Sequence, residues 1–203
     1  MAQSKKKAKT AKLDPTSTVL VVVDMENDFC KPGGKRYRPD GVEEVIPKLA
    51  ALLERCRSAG VKVLFVQSVR YPDSPEFARF GKTPFLLKNT WGSAIIDELL
   101  PGKGETVIEK NTHDCFYETR MDSLLKRSGI LPETHTMVVT GIAASICVYH
   151  AVIGFHVRHY QVVVPVDCCA DTSEGRRFLE TQMLRSAYSY NVTVTDSGMM
   201  KFK

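Results

Sequence analysis

The chain has 203 residues, 43% of them hydrophobic and 25% charged, with 13 Gly and 10 Pro. That composition suits one soluble globular domain and excludes a disordered, collagen-like or low-complexity chain. The formal charge of +5 resides in the first twelve residues, where Lys5, Lys6, Lys7, Lys9 and Lys12 stand without an acid, and the remainder balances 23 basic against 23 acidic residues, which excludes a globally basic nucleic-acid-binding surface.

In chain order, residues 1–12 read as a disordered basic tail and residues 13–203 as a single domain. No apolar segment of a secretion signal follows the tail, and no stretch approaches the ~18 apolar residues of a membrane span. Strands are expected at Thr18–Asp24 (TVLVVVD), Val61–Val69, Thr106–Lys110, Thr136–Gly141, Gln161–Asp167 and Asn191–Thr195. Several of these runs are apolar throughout rather than alternately, as parallel strands covered on both faces are. Helical patterns fall between them at Val42–Ser58, Ser93–Leu99, Thr119–Ser128, Ala144–Arg158 and Ser173–Tyr190. Gly60 and Gly129 punctuate the ends of two of these helices. Strand and helix in alternation predict a three-layer α/β/α, Rossmann-like, doubly wound parallel sheet of six strands. The loops 29–41 and 70–92 are long and rich in Pro and Gly, as loops framing a site often are.

Ligands bind outside the carboxyl ends of the strands in such a sheet. Asp24 ends the first predicted strand, Lys110 ends the third, and Cys147 falls in the first turn of the helix after the fourth. A thiol there sees the positive end of the helix dipole, and an ammonium beside it favours thiolate. Asp24 can take the thiol proton and return it to a leaving amine, while free backbone N–H groups hold an oxyanion. The three together point to acyl transfer. Six cysteines without a Cys-x-x-Cys pair read as reduced thiols of a cytoplasmic protein. His150, His156 and His159 lack the spacing of a helical zinc motif, so no metal is assigned. Lys31-Pro-Gly-Gly-Lys35 lacks the phosphate-loop spacing, and Arg36, Arg38 and Arg70 are candidate carboxylate binders in the site-framing loops.

The segments VVVDMENDF (21–29), VIEKNTHDCF (107–116) and VVTGIAASICV (138–148) resemble the isochorismatase-like cysteine hydrolases, a superfamily that includes nicotinamidases, N-carbamoylsarcosine amidases and ureidoacrylate and biuret amidohydrolases. The resemblance covers nearly the whole chain after Leu13. It implies Asp24, Lys110 and Cys147 as a catalytic triad, a cis peptide between Ile142 and Ala143, and an oxyanion hole from the amides of Ala143 and Cys147. It implies a sheet order of 3-2-1-4-5-6, which sets Lys110 two strands from Asp24, roughly 10 Å away at strand spacing. Phe29, Trp91, Cys115, Phe116 and Tyr149 are the candidate substrate-pocket residues. The nicotinamidase metal site after the second strand has no counterpart in SVRYPDSPEF (68–77), so no cofactor is expected.

The resulting expectation is a cysteine hydrolase of a small amide or ureide, working through a thioester and releasing ammonia or an amine. It would act as a homo-oligomer, dimer or tetramer, with no nucleic-acid or membrane partner. Two other readings stand beside it: a catalytically silent small-molecule-binding protein of the same fold, and a thiol redox protein pairing Cys147 with Cys115 or Cys168.

Overall fold

A computed structural model describes residues 10–183 and 188–203. In chain order the strands are β1 (Ala11–Leu13), β2 (Thr18–Val23), β3 (Lys62–Ser68), β4 (Thr106–Lys110), β5 (Thr136–Ile142), β6 (Gln161–Pro165), β7 (Cys169–Ala170), β8 (Val192–Thr195) and β9 (Met200–Phe202). The helices are α1 (Asn27–Cys30), α2 (Pro39–Ser58), α3 (Pro75–Ala78), α4 (Met121–Arg127), α5 (Tyr149–His156) and α6 (Ser173–Met183). The main sheet runs β4-β3-β2-β5-β6-β8, every pairing parallel, with the two-residue β7 added beside β5. Its six long strands follow the expected order, and β7 makes the sheet seven-stranded rather than six-stranded.

Successive residues of a strand point to opposite faces, and β2 divides its side chains accordingly. Val19, Val21 and Val23 join a core with Met121 and Leu125 of α4, Val152 and Phe155 of α5 and Leu179 of α6. Leu20 and Val22 face the other way, onto Val45, Leu49, Leu52 and Leu53 of α2 and onto Ile96 and Leu99. Both faces are thus apolar, which is why β2 carries no polar alternation. Among the described residues no helix is long and apolar enough to cross a membrane.

Several boundaries differ from expectation. Ala11 and Lys12, placed in the tail, instead form β1, which pairs in parallel with β9 and buries Ala11 and Leu13 against the α2 face; residues 1–9 lie outside the described residues. The helix expected at Ser93–Leu99 is replaced by two 3₁₀ turns, Trp91–Ser93 and Asp97–Leu99. The backbone between them is drawn into bonds with the β2 exit instead: Asn27 N–H donates to the Ala94 carbonyl at 3.0 Å and Ile96 N–H to the Met25 carbonyl at 3.0 Å. The helix expected from Ala144 opens as a π-helical turn, Ala144–Val148, before α5 begins. The fifth strand stops at Pro165, where a 3₁₀ turn takes over. For the last helix, the expected span beyond Met183 includes residues 184–187, which lie outside the described residues.

Candidate active site

β2, β3, β4 and β5 end at one edge of the sheet, and the segments leaving these strands build the site. Asp24 leaves β2 with a left-handed φ of 54° while its N–H still donates to the Val66 carbonyl at 2.9 Å. Beside it β5 passes close: Gly141 has a φ of 118°, and a Cβ there would run into the Val23 carbonyl oxygen. Only glycine meets both demands. The Ile142–Ala143 peptide bond is cis. The π-turn after it is tied down by the Ile146 and Val148 N–H groups donating to the Ala143 carbonyl at 3.0 and 3.2 Å, and by the Ser145 N–H and hydroxyl donating to Asp171 Oδ2 at 2.9 and 2.6 Å.

The three residues expected to act together do meet. Lys110 crosses under β3 and its Nζ donates to Asp24 Oδ2 at 2.7 Å, to Ser68 Oγ at 2.7 Å and to the Thr112 carbonyl at 2.9 Å, and it lies 3.5 Å from Cys147 Sγ. The long lysine side chain closes the two-strand gap. The side chains of Asp24 and Lys110 are 0% exposed, and Cys147 is 7% exposed.

Burial sets the protonation states. It pushes the Cys147 thiol far above its usual range, Asp24 adds to the rise, and Lys110 offsets only part of it. Burial and Asp24 thus oppose the pull of the dipole and the ammonium toward thiolate, and with Lys110 bonded to Asp24 at 2.7 Å the balance favours a Lys110–Asp24 ion pair beside a protonated sulfur. Burial alone would lower the Lys110 ammonium, but the charge of Asp24 and its hydrogen bond outweigh it, and the net shift is upward.

Three neighbours escaped the sequence reading. His113 is exposed, with Nδ1 3.5 Å from Cys147 Sγ and its ring 5.9 Å from that of His150. Burial of its inner part lowers its pKa, with Lys110 and His150 acting in the same direction. Ser68 receives the Lys110 ammonium, and its own N–H donates to Glu26 Oε1 at 2.9 Å. Glu26 is 0% exposed. The acidic and amide character of DMEND was the available signal for Glu26. Nothing local marks Ser68 or His113, which gain their places through strand pairing and a loop.

The candidate pocket residues scatter. Cys115 is fully buried, and Phe116 packs edge-on to Phe155 at 5.0 Å under the Arg158 guanidinium at 3.6 Å, so both belong to the core of the α5 face. Trp91 is 55% exposed and borders a cleft of about 390 Å³ with Gln67, Val69 and Lys88, none of them triad residues. Phe29 stacks edge-on with Phe85 at 6.1 Å, and Tyr149 lies 6.1 Å from His150 and 5.4 Å from Phe178. Of these side chains, Tyr149 neighbours the pair of histidine rings beside the sulfur.

Among the arginines, Arg70 is buried and ion-paired with Glu76, so it is not available to a substrate carboxylate. The glycine-rich loop is held by Asp28, whose Oδ1 accepts the Lys35 N–H at 3.1 Å and whose Oδ2 accepts the Leu86 N–H at 2.6 Å. One carboxylate thereby joins the two long loops. His156 is buried against Asn191, with Nδ1 2.6 Å from Oδ1. Among the described residues no group of three or more His, Cys, Asp or Glu side chains is placed to hold a metal ion.

Residues 18–197 match the family model described as the isochorismatase domain. The chain is 32% identical over 176 residues to the ureidoacrylate amidohydrolase RutB of Methylobacterium radiotolerans, covering 75% of this chain and 67% of that protein. It is 29% identical to the ureidoacrylate amidohydrolase RutB of Agrobacterium fabrum, covering 89% and 84%. Among solved structures, N-carbamoylsarcosine amidase from Thermoplasma acidophilum superposes with a TM-score of 0.75 at 31% identity, covering 89% of this chain and 96% of that one. Nicotinamidase from Bacillus subtilis shares the fold at a TM-score of 0.77 and 20% identity, covering 89% and 99%. With the family model spanning the sheet from β2 to the turn after β8, the chain belongs to the isochorismatase family and is a hydrolase.

Proposed function

We propose that the protein hydrolyses a carbon–nitrogen bond of a small amide or ureide, with Cys147 as nucleophile, Asp24 as proton carrier and Lys110 as electrostatic support. The observation that carries the reading is the Lys110 ammonium held between Asp24 and Cys147, with all three side chains buried. The relatives named as amidohydrolases and as an amidase favour an amide or ureide substrate.

In this mechanism Asp24 takes the Cys147 proton as Sγ forms a bond to the substrate carbonyl carbon. The ammonium that balanced Asp24 then balances the charge passing from the sulfur to the carbonyl oxygen. The amides of Ala143 and Cys147 receive the oxyanion. Collapse breaks the C–N bond, and Asp24 gives its proton to the departing nitrogen, leaving a thioester. Water then attacks the thioester with Asp24 as base, the acid leaves, and the sulfur regains its proton. Because the resting sulfur is a thiol, catalysis depends on that transfer to Asp24 rather than on a standing thiolate.

Cys168 lies in the core of the α2 face and Cys147 in that of the α5 face, so the sheet separates one proposed redox pair. A homo-oligomer rests on the resemblance alone, and a cytoplasmic location on the reading of the six cysteines as reduced thiols. The test is ammonia release from a panel of small amides, ureides and carbamoyl compounds, with mass spectrometry for an acyl adduct. The expected result is turnover that Cys147→Ala removes, with the adduct on the Cys147 peptide; turnover surviving in Cys147→Ala refutes the mechanism.

A further inference from the structure

Glu26 is the buried titratable group that the proposed mechanism leaves unused. It comes two residues after Asp24 on the segment leaving β2, and it is the one glutamate among the buried residues described. Its Oε1 accepts the Ser68 N–H, while Oε2 is buried without a hydrogen-bond partner, as is Oδ1 of Asp24. Ser68 also receives the Lys110 ammonium on its hydroxyl. One serine thus links the two groups, by its backbone to Glu26 and by its side chain to Lys110.

The charges facing Glu26 do not balance if it is ionised. Asp24 faces it from its own segment, Lys110 from β4, Arg70 from just beyond β3 and Cys30 from α1. Arg70 is ion-paired with Glu76, and burial keeps the Cys30 thiol protonated. Two fully buried carboxyl groups therefore share one ammonium. Holding both as anions away from water costs more than neutralising one of them. The ammonium bonds Asp24 directly at 2.7 Å, so the anion belongs on Asp24 and the proton on Glu26.

We propose that Glu26 is a positioning residue that stays protonated through the reaction, holding Ser68 against Lys110 as a neutral carboxylic acid and leaving the ammonium charge to Asp24 at rest and to Cys147 once Asp24 has its proton. The last clause rests on the triad reading; the protonated resting state does not. Burial and then the charge of Asp24 push the Glu26 carboxyl well above the carboxylate range, against smaller lowering by Lys110, the Ser68 N–H and Arg70.

The experiment is infrared spectroscopy of the substrate-free protein at neutral pH, unlabelled and with 13C-carboxyl glutamate, joined to the rate of Cys147 alkylation by iodoacetamide. A carbonyl band of a buried carboxylic acid is expected in the wild-type protein. It should shift with the glutamate label and vanish in Glu26→Gln. Glu26→Gln, which keeps a neutral oxygen acceptor for Ser68, should alkylate within about threefold of wild type. Glu26→Leu strands the Ser68 N–H and should slow alkylation about tenfold. Absence of the band, its survival in Glu26→Gln, or equal slowing by Gln and Leu overturns the proposal. The wild-type label shift needs no variant to fold, and failure of the hydrolase reading would leave the band unchanged.

Discussion

Replacing Lys110 by Met keeps an unbranched side chain of similar reach and removes the ammonium. Asp24 is then a carboxylate at 0% exposure, with Oδ1 already unpartnered and Oδ2 deprived of its 2.7 Å donor. Ser68 Oγ and the Thr112 carbonyl lose the same donor. Removing one member of a buried ion pair costs about 3–5 kcal/mol, chiefly because the other charge is left stranded. At roughly 2–4 °C per kcal/mol for a domain of this size, Lys110→Met should melt about 6–20 °C below wild type. Asp24→Asn combined with Lys110→Met removes both charges and should recover about half of the loss or more. Calorimetry at neutral pH is the suitable assay. The folded-state pKa of Lys110 is raised, so its stabilisation is complete below the unfolded ammonium value of about 10.4 and fades only as pH rises through the higher folded value. A single variant melting within about 3 °C of wild type, or a double variant no better than the single one, refutes the stranded-charge reasoning.

Glu26 gives a pH signature of the same sign in a more acidic window. Its folded pKa is raised, so wild-type stability falls as pH climbs from the unfolded glutamate value of about 4.3 toward the folded one; Glu26→Gln should gain on wild type in melting temperature across that window, and a pH-independent gap counts against it. Gly141→Ala should cost more than about 3 kcal/mol in urea unfolding, because left-handed strain adds to a collision with the Val23 carbonyl. A chain shortened to begin at Asp14 should melt several degrees lower through loss of β1, and one beginning at residue 10 should not. Chelator treatment should leave hydrolysis unchanged, as measured by ammonia release.

The parts of the fold readable from sequence were those whose pattern is local. β2, β3, β5 and β6 are built on continuous apolar runs, as parallel strands covered on both faces are. Asp24 and Lys110 were readable because a strand's carboxyl end is where such sheets present chemistry. β1 was hidden because its three residues, AKL, have no strand signature of their own and become one only against β9, at the far end of the sequence. Ser93–Leu99 misled for a related reason: its apolar spacing suits a helix, but the amide of Ile96 and the carbonyl of Ala94 are claimed by the β2 exit. The resting state of Cys147 depends on burial and on Asp24, and neither can be weighed from a one-dimensional position.

The β1–β9 pair bears on how the folded chain meets mechanical load. The strands run parallel, Ala11 beside Met200 and Leu13 beside Phe202, and the Lys203 N–H donates to the Leu13 carbonyl at 3.0 Å. A pull applied at residue 10 and at Lys203 draws the two strands along their length in opposite directions. Their hydrogen bonds are then stretched together in shear instead of opening one after another, so this small ribbon acts as a clasp. Tension between those two points must part the clasp before it reaches β2 and the site behind it.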